Sequence, residues 1–138
     1  MTLKSLAYTS LAQLDTAASD LENIHRTARH ANALNGITGL LIFNGTHFLQ
    51  LIEGAHDATD ALVENLRRDP RHTGFEIRDC SIAEKRSFPG WSMELVRIST
   101  SYFEAEHRIA DHLPDTIAPQ VRDRILTMAR SISETLRL

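Results

Sequence analysis

The sequence contains a single cysteine, Cys80, which excludes an internal disulfide framework and favours a reducing compartment. It also lacks a basic excess, since 15 Lys and Arg stand against 18 Asp and Glu for a net charge of −3. A general nucleic-acid-binding protein would carry a strong positive charge, so we expect no nucleic-acid partner. No apolar run approaches the roughly 20 residues that a membrane helix needs, and the first residues do not resemble a signal peptide. These features predict a cytoplasmic protein without a membrane partner.

The common motifs of catalysis and metal binding are missing as well. The sequence has no GxGxxG, P-loop, GxSxG or HExxH motif, and its one cysteine cannot form a CxxC pair. Seven histidines are present, but none pair at the i, i+4 spacing of helical metal ligands. We therefore expect neither a metal site nor an enzyme activity.

The order of predicted elements indicates the fold. A chain of 138 residues with 42% hydrophobic residues suits one domain with a sizeable core. Periodicity and end signals predict strands over 3–10, 75–82 and 91–98, helices over 19–35 and 57–68, and a hairpin over 37–53. This order predicts an α+β fold, a ferredoxin-like β-α-β-β-α-β-β sheet with two helices on one face.

The C-terminal part is predicted to cover the other face of that sheet. A short helix near 103–112 precedes a longer one, whose apolar stripe comprises Val121, Ile125, Met128, Ile132 and Leu136. Both faces of the hairpin are apolar, so both need cover. Residues 1–98 would then form the core and 99–138 a helical cap of the same domain. The stripe also favours a homodimer or a larger homo-oligomer.

The hairpin places a polar side chain in apolar surroundings. The dipeptide Asn44-Gly45 predicts a two-residue type I′ turn, and that turn pairs Gly39 with Gln50. The neighbours of Gln50 on its face are Leu41, Phe48 and Ile52. A buried amide has two donors and an acceptor, and leaving one unpaired costs about 1–3 kcal/mol. Gln50 therefore indicates a bound ligand or a neighbouring hydroxyl.

Several other side chains have an ordinary structural explanation beside a functional one. Tyr8 fits a strand core as well as a binding site, and Asn32 fits an exposed or capping position near a helix end. The turn at 69–72 fits either a polar helix stop or an anion site. Trp91 and Met93 fit core packing.

In order and spacing, six segments together resemble the BLUF family, the blue-light sensors that use FAD. They cover roughly residues 3–98, and they are LAYTS from Leu6, ARHAN from Ala28, GITGLL from Gly36, FLQLIEG from Phe48, RDPRH from Arg68 and RSFPGWSM from Arg86. No single segment is decisive, but the ordered set is highly specific. The last residues resemble the short helical cap of stand-alone members.

The resemblance implies a role for each matching position. Tyr8 corresponds to the tyrosine that gives an electron and then a proton to the excited flavin, and Gln50 to the glutamine between that tyrosine and the ring. Trp91 and Met93 correspond to a switchable pair at the last strand. The implied cofactor-binding residues are Tyr8, Ile24, Ala28, Arg29, Asn32, Leu41, Phe48, Gln50, Asp69, Arg71 and His72.

The implied function is that of a blue-light photoreceptor with non-covalent FAD, for which FMN or riboflavin could substitute. Light rearranges the hydrogen bonds of Gln50, and the change passes to a partner protein. Ala28 and Ala31 depart from the polar residues common at their positions, which puts the tuning of the ring environment in doubt.

Two other interpretations stay open. One is a flavin- or nucleotide-binding enzyme on the same scaffold, because fold alone does not fix function. The other is a cofactor-free regulatory module in which Gln50 is satisfied internally. A light–dark spectral cycle without substrate would exclude the first, and uptake of FAD would exclude the second.

Overall fold

The computed structural model describes residues 2–12, 18–70, 72–90, 93–97, 108–115 and 117–134. These form β1 (Leu3–Ala12), α1 (Ala18–Asn35), β2 (Thr38–Phe43), β3 (His47–Gly54), α2 (His56–Arg67), β4 (His72–Ala83), β5 (Glu94–Arg97) and α3 (Pro119–Glu134). A further helical turn spans 108–112. The remainder of the helix predicted near 103–112 lies outside the described residues.

The strands form one mixed sheet in the order β4-β1-β3-β2-β5. β1 pairs antiparallel with both β3 and β4, and β2 pairs antiparallel with β3. β5 runs parallel to β2 at the edge. The predicted α+β, ferredoxin-like sheet with one added strand is confirmed.

Each face of the sheet carries its own apolar cluster, as the two-sided hairpin requires. On one face the strands pack against helix α2 through Val63, with Ala28 of α1 partly buried at the same cluster. On the other face they pack against Ile125, Met128 and Ala129 of α3. Of the apolar stripe predicted for the last helix, Ile125 and Met128 belong to this cluster and Val121 packs against it. The side chains of Ile132 and Leu136 lie outside the described residues.

The register of the β2–β3 hairpin differs from the predicted one by two residues. Phe43 pairs with Phe48 and Leu41 pairs with Gln50, so Gly39 is not opposite Gln50. The loop is shifted because the Asn44 side chain closes it, accepting hydrogen bonds from the backbone N–H of Thr46 at 3.1 Å and of His47 at 2.7 Å. The shift is even, so every side chain keeps the face that the sequence predicts.

The element ends differ slightly from the predicted ones. Helix α1 is described over Ala18–Asn35 and is followed by Gly36, whose φ of 67° is the left-handed conformation common just after a helix. Helix α2 begins at His56, one residue before the predicted start, with Ala55 at its N-cap and Asp57 in its first turn. β4 is longer than predicted, because pairing partners decide where a strand ends. β5 is described over Glu94–Arg97, and residues 91, 92 and 98 of its predicted range lie outside the described residues.

Gly39 lies so close to the backbone of β3 that the sheet leaves no room for a side chain there, and a substitution can test this close approach. A Cβ added there would lie 2.0 Å from the backbone oxygen of Leu51, far inside van der Waals contact. We expect Gly39→Ala to lower the free energy of unfolding by about 1–3 kcal/mol or more, measured by urea denaturation. Gly54→Ala should cost less, since the nearest atoms are a carbon of the Ile37 side chain at 3.1 Å and the backbone oxygen of Gly36 at 3.2 Å, both much farther away than 2.0 Å. Wild-type stability of Gly39→Ala would contradict this close approach.

Candidate functional site

The pairing of the central strands places Tyr8, Gln50 and Leu41 in one row. Tyr8 on β1 lies opposite Gln50 on β3, and Gln50 lies opposite Leu41 on β2. Residues that face each other across antiparallel strands project to the same side of the sheet. This is the side on which Val63 of α2 packs, so the row is enclosed beneath the helices.

A buried chain of hydrogen bonds runs through the Gln50 amide. The Tyr8 hydroxyl donates to Gln50 Oε1, and Gln50 Nε2 donates to Met93 Sδ at 3.3 Å. Tyr8 and Gln50 are each 3% exposed and Met93 is 0% exposed, so water does not compete for these groups. Both ends of the amide therefore have protein partners, and the partner at its oxygen is a neighbouring hydroxyl, one of the two explanations that a buried Gln50 indicates.

Tyr8 is held as a neutral phenol. Burial raises the pKa of Tyr8 well above its ordinary value of 10.0, and the nearby charge of Asp69 raises it further. The Tyr8 ring stacks on Phe75, with ring centroids 4.4 Å apart. The Arg67 guanidinium lies over the same Phe75 ring, 5.1 Å from its centroid. A protonated hydroxyl at this position can donate to Gln50.

Helix α1 contributes a second buried amide. Asn32 is 1% exposed, and Ala28, one turn earlier on the same face, is partly buried against the cluster that contains Tyr8. The backbone carbonyl of Asn32 also accepts a hydrogen bond from the Ile37 N–H at 2.9 Å. α1 thus brings an amide side chain to the face of the sheet that carries Gln50.

The chemistry of this region fits a planar ring with polar edge atoms. Asn32 and Gln50 supply buried donors and acceptors, while Leu41, Phe48 and Ala28 supply apolar surface. An isoalloxazine has the same combination of apolar faces and polar edges. The residues described at this face are therefore suitable for holding a flavin by contacts and hydrogen bonds alone.

The remaining predicted site residues are dispersed or lie outside the description. Asp69 is partly buried just beyond the end of α2, near enough to Tyr8 to affect its pKa. Arg29 is exposed and lines an open surface cleft of about 490 Å³ on α1, with His25 and Arg26. The side chains of Ile24 and His72 and all of Arg71 and Trp91 lie outside the described residues.

Sequence reasoning assigned no role to a buried carboxylate at the end of β3. Glu53 is 1% exposed, and its oxygens accept from the backbone N–H of Ser87 at 2.8 Å and of Phe88 at 2.7 Å. The Thr38 hydroxyl donates to the same carboxylate at 2.9 Å. Arg86 donates to the Thr38 hydroxyl at 2.9 Å. This cluster holds the part of the β4–β5 loop at Ser87 and Phe88 in place. The sequence feature that indicates the cluster is an acidic residue, Glu53, near the end of an otherwise apolar strand.

Among the described residues, no group of three or more His, Cys, Asp or Glu side chains could hold a metal ion. In the part of the chain with a described structure, no helix is both long and apolar enough to cross a membrane.

Comparison with known sequences gives a consistent result. A family model described as "BLUF: Sensors of blue-light using FAD" matches residues 3–94. The chain is 33% identical over 93 residues to the blue light- and temperature-regulated antirepressor BluF of Escherichia coli (strain K12), covering 67% of this chain and 23% of that protein. It is 37% identical over 93 residues to photoactivated adenylate cyclase subunit beta of Euglena gracilis, covering 67% of this chain and 11% of that protein.

Solved structures agree with the sequence matches. BlrB, a BLUF protein in its dark state, matches with a TM-score of 0.72 and 32% identity over 97% of each chain. The BLUF structure of BlrP1 matches with a TM-score of 0.79 and 28% identity, over 99% of this chain and 91% of that one. The chain is thus similar to nearly all of these two chains but to less than a quarter of the two curated relatives named above.

The raised pKa of Tyr8 predicts a specific dependence of stability on pH. Above pH 10.0 the unfolded chain loses the Tyr8 proton while the folded chain keeps it, so alkaline conditions favour unfolding. The contribution of Tyr8 to the free energy of unfolding is fully present below pH 10.0 and is lost as the pH rises above that value. The slope of this loss approaches about 1.4 kcal/mol per pH unit. Urea unfolding across the alkaline range should show this component in wild type but not in Tyr8→Phe. Equal slopes for the two proteins would contradict it.

Proposed function

Because the chain belongs to the BLUF family of blue-light sensors that use FAD, we propose that it is a photoreceptor in which Tyr8 and Gln50 perform the light response. FAD is proposed to bind non-covalently beside these two residues, on the face of the sheet that α1 and α2 cover. The family uses flavin as its chromophore, and the observation that carries the finer proposal is the buried chain Tyr8–Gln50–Met93.

The proposed site divides the contacts of the flavin between ring and tail. Asn32 and Gln50 would hydrogen-bond the ring edge, while Leu41 and Phe48 would border its faces. Arg29, Asp69, Arg71 and His72 would lie toward the ribityl-phosphate tail, and the basic side chains among them suit the negative charge of phosphate. When bound, the flavin supplies blue absorption and an excited state that accepts an electron.

Tyr8 is suited to a reversible loss of an electron and a proton. Its hydroxyl proton already lies in a hydrogen bond to Gln50 Oε1, and its raised pKa keeps that proton in place before excitation. In the proposed cycle Tyr8 gives up both particles transiently and regains both, so the residue ends chemically unchanged. No substrate is consumed, in keeping with a sensor rather than an enzyme.

Gln50 is suited to change its hydrogen bonds after the electron transfer, because one end of its amide is an acceptor and the other is a donor. In the structure Oε1 accepts from Tyr8 and Nε2 donates to Met93 Sδ. Reversing the amide would turn Oε1 toward the thioether sulfur, and two acceptors cannot bond each other. Met93 would then lose its donor. A reversal of Gln50 therefore carries the signal toward β5, which begins one residue later.

We propose a second protein as the recipient of this signal, and self-association as a further property. Residues 1–98 would act as the flavin-binding part and 99–138 as its cap. Self-association is supported by the edge strand β4, which leaves Ile77 42% and Ile82 69% exposed. Exposed apolar side chains on a sheet edge favour pairing with another chain. A strictly monomeric profile at high concentration would contradict this part.

The test of the proposal begins with an absorption spectrum of the purified protein before and after blue illumination. We expect a yellow protein whose flavin bands shift to longer wavelength in light and recover in darkness without any added substrate. A colourless protein that does not take up FAD would instead favour a cofactor-free module. A spectral change that requires a substrate would favour an enzyme.

Tyr8→Phe removes the hydroxyl while keeping the ring that stacks on Phe75. We expect this variant to bind FAD and to form no red-shifted state, because the electron and proton donor is gone. Tyr102→Phe, at the other tyrosine of the chain, is the matched control and should cycle normally. An unchanged photocycle in Tyr8→Phe would refute the proposed role of Tyr8.

Gln50→Leu replaces the amide with an apolar side chain of similar size. The protein should stay yellow and lose the normal light-induced shift, because Leu has no donor and acceptor ends to exchange. Gln120→Leu, an exposed position on α3, controls for loss of an amide elsewhere. A preserved shift in Gln50→Leu, recorded in the same difference spectrum, would count against the amide switch.

A further inference from the structure

A histidine on α1 contacts the main chain of the residue that Gln50 holds. His25 Nε2 lies 2.7 Å from the backbone carbonyl oxygen of Met93. A carbonyl oxygen accepts hydrogen bonds and cannot donate, so Nε2 carries the proton in this contact. His25 is half-buried and Met93 is fully buried, so the bond closes over the end of the Tyr8–Gln50–Met93 chain.

Met93 is therefore held at two points by two different elements. Its sulfur accepts from Gln50 on β3, and its carbonyl accepts from His25 on α1. It directly precedes β5, the strand described over Glu94–Arg97 at the sheet edge. Among the described strands β5 pairs with β2 on one side alone, so the position of this segment depends strongly on contacts such as these two.

We propose that His25 is a positioning residue that holds the main chain of Met93 against α1 and thereby sets the lifetime of the lit state. We call the hydrogen bond between His25 Nε2 and the Met93 carbonyl oxygen the latch. This inference rests on the proposed photoreceptor function. The latch belongs to the arrangement in which Gln50 donates to Met93 Sδ. When the amide reverses and Met93 is released, the His25 bond is the remaining restraint on the segment, and its loss frees the segment to move.

The latch has a predictable effect on thermal recovery. It stabilises the arrangement to which the protein returns, and the transition state for return reforms part of it. Its removal should therefore slow recovery, by about two- to tenfold for one hydrogen bond of ordinary net strength. If His25 only stabilised the fold, its removal would lower the free energy of unfolding and leave the recovery rate unchanged.

The latch also gives the signal a second route to the surface. His25 lines the open cleft on α1 together with Arg26, Arg29 and His30. A displacement of Met93 that breaks the His25 bond would therefore change the position of the His25 side chain at a charged, solvent-exposed face of α1, in addition to moving β5.

The kinetic test compares variants that differ only in what they present to the Met93 carbonyl. His25→Leu should slow the dark recovery of the red-shifted absorption by about two- to tenfold. His25→Gln should restore a rate close to wild type, because the amide Nε2 of Gln can occupy the place of the imidazole Nε2. His25→Asn has the same chemistry but is one carbon shorter, so it should recover as slowly as Leu. His30→Leu, an exposed histidine on the same helix, should recover at the wild-type rate.

A spectroscopic test reports on the bond itself. The chain has three methionines, so carbonyl-¹³C methionine labels few positions for light-minus-dark infrared spectra. Wild type should show a labelled carbonyl band that moves to higher frequency in light, as the His25 bond breaks. His25→Leu should lack this change, and His25→Gln should retain it. If His25→Leu does not fold, the comparison of Gln with Asn decides.

The outcomes separate the two proposals. No red-shifted state in the wild-type protein defeats the photoreceptor proposal itself. A normal wild-type cycle with equal recovery rates in Gln and Asn variants defeats the latch alone. A labelled carbonyl band that moves in light in His25→Leu as it does in wild type also overturns it.

Discussion

The Gln50 amide is the interaction on which the buried face of this protein depends. It lies in the middle of the sheet, with a phenol at its oxygen and a thioether at its nitrogen. Because the amide has one acceptor end and one donor end, its orientation decides which neighbour is bonded. The surrounding apolar cluster excludes water, so a lost bond at either end cannot be replaced by solvent.

The scaffold combines a fixed part with a movable part. Tyr8 and Gln50 lie on β1 and β3, which are inner strands with a paired neighbour on each side. Met93 lies before β5, an edge strand whose one partner among the described strands is β2. Residues on inner strands hold their positions through two ladders, whereas an edge strand held by one ladder can shift at lower cost. The hydrogen-bond chain therefore joins a rigid donor and switch to a segment able to respond.

Much of this arrangement could be predicted from the sequence because it depends on local patterns. The strand predicted over 3–10 includes Tyr8, and the apolar hairpin correctly requires cover on both sides of the sheet. The turn was predicted two residues out of register because the Asn44 side chain, which closes the loop, competes with the Asn-Gly rule. The even shift preserved the faces, so the prediction of Gln50 among apolar side chains remained valid.

The contacts that periodicity could not supply are those between distant segments. His25 and Met93 are 68 residues apart, and their contact depends on how the β4–β5 loop packs against α1. Glu53 and Ser87 are 34 residues apart, and they meet only because that loop returns to the end of β3. Loop paths of this kind are set by tertiary packing, which no window of sequence reports.

The Glu53 cluster has a consequence for which sequences this loop accepts. Its carboxylate binds the main-chain N–H groups of Ser87 and Phe88, so it does not depend on the hydroxyl of Ser87. Polar side chains can therefore replace one another at position 87 without breaking the hydrogen bonds between Glu53 and the main chain. Proline is barred at both positions, since an imide nitrogen has no hydrogen to give. The proline that the loop does contain, Pro89, stands immediately after the two amides that Glu53 binds.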